Sequence, residues 1–507
     1  LPSAIYALLQ VPGGDAAAMV DALAAQLSPE GRCFINGAYV DSASGATLES
    51  VEPATGRVLG LIADGGVEDV DLAVKAARQA FDSGVWSQMS PSDRGRCLIR
   101  FADLVEKHAQ ELALLETLDV GKPISDSLAI DLPLSITCLR WYGEAVDKIY
   151  DEIAPTPGTA VAMMRRAPLG VVAAVVPWNF PLMMACWKIA PILAAGNTVV
   201  LKPAEQSSLT AIRIAGLAFE AGIPPGVLNV VPGCGEIAGR ALGLHMDVDC
   251  IAFTGSTEVG KYFMQYSGQS NLKRVGLECG GKSPNIIFAD APDIKAAAVA
   301  AAWGLFYNQG EVCNAGSRVL VEESVREEVV EIIIETGRAM RQGDPLDPET
   351  QIGAMVDQGQ ANRVMDYIAI GQQEGARLAS GGKRLAEGSC FIEPTVFDGV
   401  RNDMRIAQEE IFGPVLSVLP FKDEAEAVSV ANDTIYGLAA GVWTRDLNRS
   451  FRVSQKLTAG VVWVNCFDHG HISSPFGGFK QSGFGRDKSL HALDKYTDIR
   501  TTWINLG

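Results

Sequence analysis

The pattern of apolar positions divides the chain into a helical stretch and a longer stretch in which strands and helices alternate. Between residues 66 and 150, apolar residues recur at i, i+3, i+4 and i+7, which predicts amphipathic surface helices that end at glycines. From Leu169 onward, short β-branched runs alternate with helical segments of roughly 10 to 15 residues. This alternation predicts βαβ units with parallel sheets, whose ligands bind at the carboxyl ends of the strands.

The same rhythm resumes at about residue 279 and predicts a second α/β unit. The chain then ends in a short β-like tail at 497–507. Because a terminal strand can pair with the sheet edge of a neighbouring subunit, we expect this tail to make an oligomer contact.

Two segments bear on targeting and membranes. The first 20 residues lack the basic and apolar regions of a secretory signal and the arginines of a transit peptide, so we expect a loose N-terminal arm. Residues 167–187 carry no charge, but Pro168, Pro177, Asn179 and Pro181 interrupt them. We therefore predict a buried strand that ends in a loop, and no membrane span.

Composition narrows the class further. The 507 residues are 48% apolar and 20% charged, which is typical of a folded α/β protein. A net charge of −18 argues against nucleic acid and anionic lipid as partners. The ten cysteines form no C-x-x-C pair and the five histidines show no ligand spacing, so we expect no metal, no disulfide framework and a reducing cytoplasm.

A glycine-rich loop from Gly255 to Lys261 follows one predicted strand and opens a helix. Backbone N–H groups and the positive helix end can hold phosphate in this setting. The loop nearly matches a Walker A motif, but Tyr262 stands where a hydroxyl would bind Mg²⁺. This favours a dinucleotide pyrophosphate, with a P-loop NTPase or a plain strand-to-helix turn as the alternatives.

Three residues are candidates for covalent chemistry. Cys313 lies in a glycine-flanked turn after an apolar helical segment, where a thiol can react as a nucleophile. Glu278 precedes two glycines at the end of a predicted strand and suits a general base, although a surface position is equally consistent with the sequence. Asn179 lies between two prolines, where its amide either stabilises an oxyanion or bonds its own backbone.

Seven segments occur in an order and at separations that match one known family. They are PWNFP at 177–181, KPAEQ at 202–206, FTGSTEVG at 253–260, LECGGKSPN at 277–285, FYNQGEVCNAGSR at 306–318, EEIFGPV at 409–415 and PFGGFKQSGFGRD at 475–487. From Phe34 to its last residues the chain resembles the NAD(P)-dependent aldehyde dehydrogenase superfamily.

The resemblance implies an α/β fold with three parts. A Rossmann-like NAD-binding domain would span 1–145 and 168–277, a second α/β catalytic domain 278–480, and a small β oligomerisation element 146–167 and 481–507. It also implies a homodimer or homotetramer.

The resemblance further implies the chemistry. Cys313 would attack the aldehyde carbon to give a thiohemiacetal, with Asn179 and the Cys313 N–H as the oxyanion hole. The adduct would pass a hydride to the nicotinamide, and Glu278 would activate water to hydrolyse the thioester to a carboxylic acid. A catalytically silent scaffold is the remaining alternative, and the intact Cys313, Glu278 and Asn179 argue against it.

The implied cofactor is NAD. Lys202 and Glu205 would bind the adenosine ribose hydroxyls, and the Glu205 carboxylate would repel the 2′-phosphate of NADP. The remaining implied contacts are Gly255 and Ser256 at the pyrophosphate, Glu410 at the nicotinamide ribose, and Phe412 and Trp178 beside them.

For the substrate, the resemblance is to bacterial enzymes of polyamine breakdown that oxidise 4-(γ-glutamylamino)butanal and 4-guanidinobutanal. The implied tunnel residues are Phe180, Met183, Met184, Trp187, Val312, His471 and Phe476. Its apolar walls suit a methylene chain. Gly470 favours long substrates, whereas His471 replaces an expected Asp and leaves semialdehydes and aromatic or aliphatic aldehydes as alternatives.

Overall fold

The computed structural model describes residues 14–507, and the first part of the expected N-terminal arm lies outside them. Residues Gly14–Ala24 form a helix, so the expectation of a loose arm is wrong there. The physical reason is burial, because Val20 and Ala24 pack into the main hydrophobic core.

The predicted helical stretch is confirmed. Its principal helices are Val67–Asp82, Pro91–Lys107, Ala109–Val120 and Leu132–Ala145. Pro91 occupies the first turn of its helix and the Ser90 hydroxyl caps it, accepting from the Asp93 N–H at 3.2 Å. The helix Ala109–Val120 departs from the amphipathic expectation, because nearly all of its side chains are buried.

Among the described residues the first sheet has eight strands. Five adjacent strands are parallel, and four of these five are buried along their whole length. Their spatial order is Gly483–Phe484, Arg274–Glu278, Cys250–Thr254, Val171–Val175, Thr198–Lys202, Leu228–Val230, Cys33–Ile35 and Ala38–Val40. The helices among them are Pro181–Ala194, Leu209–Glu220, Arg240–Leu244 and Thr257–Gln269. The predicted βαβ pattern is confirmed here.

The second sheet has seven strands and is parallel except at one edge. Its order is Arg377–Ser380, Thr395–Asp398, Val415–Phe421, Arg318–Glu322, Pro284–Ile287, Ala439–Trp443 and Val461–Val464. The accompanying helices are Ile294–Phe306, Arg326–Ala339, Gln358–Gln373, Arg405–Gln408, Glu424–Asn432 and Leu447–Lys456.

A third, antiparallel sheet joins distant parts of the chain. It contains Thr497–Asn505, Ala160–Pro168 and Glu152–Ala154, while Thr47–Val51 and Val58–Ala63 form a separate hairpin. The tail is thus a strand, as expected. Gly483–Phe484 pairs with the first sheet, although the expected oligomerisation element includes it, and the domain boundaries stay a prediction.

Candidate active site

One cavity of about 1290 Å³ brings the three proposed catalytic side chains together. Asn179 follows the strand Val171–Val175, Glu278 ends the strand Arg274–Glu278, and Cys313 precedes the strand Arg318–Glu322. Since the first two residues lie at the carboxyl ends of parallel strands, the ligand position predicted for such sheets agrees with the cavity.

The turn that leads to Cys313 is held in an unusual backbone conformation. Asn308 and Gln309 have φ of 48° and 57°, in the left-handed region that non-glycine residues seldom adopt. The Gln309 side chain accepts from the Gly353 N–H at 2.8 Å, and the Asn308 amide donates to the Glu311 carbonyl at 3.2 Å. These contacts stabilise the turn and fix the position of the thiol.

Asn179 is buried and its side-chain amide donates to the Glu311 carbonyl at 2.8 Å. The amide therefore does not bond the Asn179 backbone, and that alternative from the sequence is excluded. A primary amide has two hydrogens, so one remains available after this bond. Within residues 14–507, the N–H of Cys313 makes no backbone hydrogen bond. Both groups can therefore donate to a ligand oxygen.

Glu278 is only 4% exposed, which excludes the surface position. Burial raises the pKa of its carboxyl to about 7, with Lys188 opposing the shift. Its Oε1 has no hydrogen-bond partner in the part of the chain that the structure describes. A buried carboxyl that titrates near neutrality is well suited to a general base.

The two glycines after Cys279 allow the Glu410 carboxylate and the Cys313 backbone to approach the segment that follows Glu278. A Cβ at Gly280 would collide with the Glu410 carboxylate, and one at Gly281 would lie 2.5 Å from the Cys313 carbonyl oxygen. Cys279 itself is buried, and burial raises its pKa to about 12. The packing role expected of Cys279 fits this environment.

The Cys313 thiol is half-buried and faces carboxylates. Burial raises its pKa well above the usual range, and the charges of Glu278 and Glu410 raise it further. This environment favours the protonated thiol, and Glu278 lies beside it as a proton acceptor.

Five of the residues expected at a dinucleotide line the cavity: Trp178, Gly255, Ser256, Glu410 and Phe412. Gly255 and Ser256 precede the helix Thr257–Gln269, and the Ser256 hydroxyl caps it at Val259. Glu410 accepts from the Gly281 N–H at 3.0 Å, and burial raises its pKa to about 7. The Trp178 and Phe412 rings meet edge to face at 5.2 Å.

These groups fit a dinucleotide, because the helix N-terminus suits a pyrophosphate and the Glu410 carboxylate suits a hydroxyl. Lys202 and Glu205 form an ion pair of 3.2 Å but do not line the cavity.

All seven predicted tunnel residues line the cavity. The centroids of the Trp187 and Phe476 rings lie 5.6 Å apart. The Phe180 ring stacks on Tyr307, and the Lys122 ammonium lies 4.0 Å from the centroid of the Phe180 ring. His471 is exposed, and its Nδ1 lies 2.8 Å from the Ser473 hydroxyl.

Sequence reasoning missed the charged groups around the site. The Lys188 ammonium pairs with the Asp487 carboxylate at 2.5 Å, and both side chains are buried. Although burial alone raises it, Lys188 and Lys495 together lower the pKa of Asp487 to about 2. The signal for Lys188 was present, because it is the one charge in the apolar helix Pro181–Ala194.

The fold and the cavity define an α/β enzyme whose reactive side chains lie at strand ends. The sequence profile described as "Aldehyde dehydrogenase family" matches residues 39–502. The chain belongs to the aldehyde dehydrogenase family.

Three relatives illustrate the similarity. The NADP/NAD-dependent aldehyde dehydrogenase PuuC of Escherichia coli is 52% identical, over 95% of this chain and 97% of PuuC. AldA, an indole-3-acetaldehyde dehydrogenase of P. syringae solved with NAD+ and IAA, is 57% identical with a TM-score of 0.96, over 97% of this chain and 99% of AldA. A gamma-glutamyl-gamma-aminobutyraldehyde dehydrogenase of Burkholderia cenocepacia is 55% identical with a TM-score of 0.95, over 97% of this chain and all of that one.

These findings confirm the predicted family, the α/β fold and the enzyme class. The chain is an NAD(P)-dependent aldehyde dehydrogenase. Within residues 14–507 there is no cluster of three side chains able to hold a metal ion, and no helix there is both long and apolar enough to cross a bilayer.

Proposed function

We propose that this protein oxidises an aldehyde to a carboxylic acid through a covalent bond to Cys313. The observation that carries the proposal is the shared cavity, which Cys313, Glu278 and Asn179 line together with the residues expected at the dinucleotide pyrophosphate and nicotinamide ribose. The Cys313 sulfur attacks the carbonyl carbon, and Glu278 accepts the thiol proton. Bound NAD+ supplies the acceptor for the two electrons and the hydrogen that the substrate loses.

The oxygen of the adduct needs hydrogen-bond donors as it gains negative charge. The second hydrogen of the Asn179 amide and the Cys313 N–H provide them, while the Glu311 carbonyl fixes the orientation of the amide. Oxidation leaves a thioester on Cys313. Glu278 first releases the thiol proton to solvent. It then removes a proton from the attacking water and returns it to the Cys313 sulfur as the acid leaves, which regenerates the thiol.

We propose NAD as the preferred cofactor, supported by the ion pair of Lys202 with Glu205. The Glu205 carboxylate repels a 2′-phosphate. When that carboxylate is removed, the Lys202 ammonium is free to attract the phosphate. We expect Glu205→Gln to raise the ratio of kcat/KM for NADP+ over NAD+ by about 10-fold or more, measured by steady-state kinetics.

The exposed Glu220→Gln is the matched control for that experiment and should leave the ratio unchanged. An unchanged ratio in Glu205→Gln as well would mean that another group reads the 2′ position.

As substrate we propose an aldehyde on a straight chain with an ω-amino or γ-glutamylamino tail, of the kind produced in polyamine breakdown. The apolar rings along the cavity suit the methylene chain. One relative named above is a gamma-glutamyl-gamma-aminobutyraldehyde dehydrogenase, which supports the proposal. The indole-3-acetaldehyde dehydrogenase AldA, at similar identity, makes an aromatic aldehyde the second candidate.

Steady-state kcat/KM values across an aldehyde panel separate the two candidates. The panel is 4-aminobutanal, 4-guanidinobutanal, 4-(γ-glutamylamino)butanal, succinic semialdehyde, hexanal, benzaldehyde and indole-3-acetaldehyde. The highest kcat/KM for the amino or γ-glutamylamino compounds supports the proposal, and the highest value for indole-3-acetaldehyde or benzaldehyde overturns it.

We propose that 146–167 and 481–507 form an oligomerisation element in a homodimer or homotetramer. Large apolar side chains on its sheet are exposed, including Ile153, Ile499 and Trp503. Light scattering should give a multiple of the chain mass, and Trp503→Glu should shift it toward the monomer. A wild-type monomer at all concentrations would contradict this.

We also propose a cytoplasmic location, supported by ten free cysteines.

A further inference from the structure

Lys488 is a cation in the wall of the catalytic cavity, and the nearby Asp468 and Asp487 carboxylates act on it only beyond ion-pair distance. Its Nζ lies 5.4 Å from the centroid of the Trp187 ring and 6.0 Å from that of Phe476. Within residues 14–507 it makes neither a hydrogen bond nor an ion pair of 4.0 Å or less. The side chain is half-buried, and burial lowers its pKa.

The ammonium lies beside the exposed loop that contains Gly470. A Cβ at Gly470 would stand 3.2 Å from Nζ, so the glycine leaves the space that the ammonium uses. The neighbouring His471 is exposed on the same loop. Lys488 is thus at the outer end of the tunnel, where the far end of a long substrate would lie.

The backbone holds Lys488 in a fixed position at an energetic cost. Lys488 and Ser489 both have positive φ, 61° and 52°, which is unfavourable for residues with a side chain. Ser489 is anchored on both sides, because its N–H donates to the Ile472 carbonyl at 2.7 Å and its carbonyl accepts from the Tyr142 hydroxyl at 2.8 Å. Such strain is typical of functional positions.

The acidic side chains near Lys488 are bound to other groups. Asp487 pairs with Lys188 and Lys495, and Asp468 accepts from the Asn314 amide at 2.6 Å. The charges of both carboxylates still act on Lys488, but neither forms an ion pair with it within 4.0 Å, so the N–H groups of the ammonium can bind a ligand. In a partly desolvated tunnel an ammonium attracts a carboxylate and repels a second cation.

We propose that Lys488 binds a carboxylate on the tail of the substrate and so selects aldehydes that carry an anion far from the reacting carbon. The inference rests on the function proposed above and narrows its substrate class. It favours a γ-glutamylamino tail, which ends in an α-carboxylate beside an α-ammonium, over the tails of 4-aminobutanal and 4-guanidinobutanal, which carry a cation and no carboxylate.

The test compares 4-(γ-glutamylamino)butanal with 4-acetamidobutanal, which shares the chain and the amide but has no charge. We expect Lys488→Met, which keeps an unbranched side chain over Trp187, to lower the ratio of their kcat/KM values by about 10- to 100-fold, mainly through KM. Lys488→Arg should restore part of the ratio. The exposed Lys295→Met is the matched control and should keep the wild-type ratio.

Inhibition of the wild type gives a measurement that does not depend on a variant folding. The butylamide of the glutamate γ-carboxyl should inhibit more strongly than N-butylacetamide, and the ratio of their inhibition constants should shrink with added salt. An unchanged substrate ratio in Lys488→Met, or equal inhibition by the two amides, overturns the role of Lys488. If the role of Lys488 is overturned but 4-acetamidobutanal is still oxidised, the proposed aldehyde oxidation stands. If the wild type forms no NADH from either aldehyde, the proposed oxidation and the role of Lys488 are both overturned.

Discussion

Replacement of Cys313 with alanine is expected to lower aldehyde-dependent NADH formation by at least about 10⁴-fold. The reason is that, in the part of the chain that the structure describes, only Cys313 and Cys466 among the cysteines line the cavity, and of these two it is Cys313 whose thiol interacts with Glu278. Binding of NAD+, measured by calorimetry, should persist, because its proposed contacts involve other side chains. Stopped-flow and steady-state absorbance at the NADH band give the rates.

Cys466→Ala is the matched control for this experiment, since Cys466 also lines the cavity but has no assigned role. It should retain most of the activity. Substantial turnover by Cys313→Ala would contradict a covalent mechanism at this residue, while loss of both NAD+ binding and turnover would indicate a folding defect.

Replacement of Glu278 with glutamine is expected to lower kcat by about 10²- to 10⁴-fold, because an amide cannot accept a proton from the attacking water. Loss of the acceptor for the thiol proton also slows thioester formation, but hydrolysis by water depends more strongly on the base, so the thioester on Cys313 should accumulate. Its formation should appear as a first-turnover burst of NADH and as an acyl group in the intact mass of the protein. Hydroxylamine, a nucleophile that needs no general base, should release the acyl group.

The pH dependence of thioester hydrolysis tests the same residue. Burial raises the pKa of Glu278 to about 7, so the active, deprotonated base is gained as the pH rises through that value. Wild-type hydrolysis should therefore increase across pH 6 to 8, roughly one unit on either side of that pKa, and the Glu278→Gln variant should lack this increase. An unaltered pH profile and rate in the variant would assign the base to another group.

Local sequence signals predicted the parts of the site that lie at element ends. The run before Pro177 is a buried strand, the loop at Gly255 opens a helix, and the glycines after Cys279 permit close contacts. Each of these signals depends on backbone rules that act within a few residues. The arrangement of Cys313, Glu278 and Asn179 in one cavity came from family resemblance, because no local rule joins positions so far apart.

The charged surroundings of the site could not be predicted from the sequence. Lys188 and Asp487 are 299 residues apart, and only the packed fold makes them partners. The sequence left the burial of Glu278 open for the same reason. A carboxylate before glycines is compatible with burial or exposure until the neighbouring strands are known. Lys488 resembles any surface lysine in the sequence, and its position over the Trp187 ring follows from the packing of segments that are far apart in the chain.

The most direct test of the proposed activity is the stoichiometry of one reaction. Purified protein is incubated with NAD+ and 4-(γ-glutamylamino)butanal, and NADH and the corresponding carboxylic acid are quantified together, with Cys313→Ala as the blank. The account predicts equal amounts of NADH and acid, and neither product in the blank. Acid formed without NADH, or no reaction by a folded protein that binds NAD+, would contradict it.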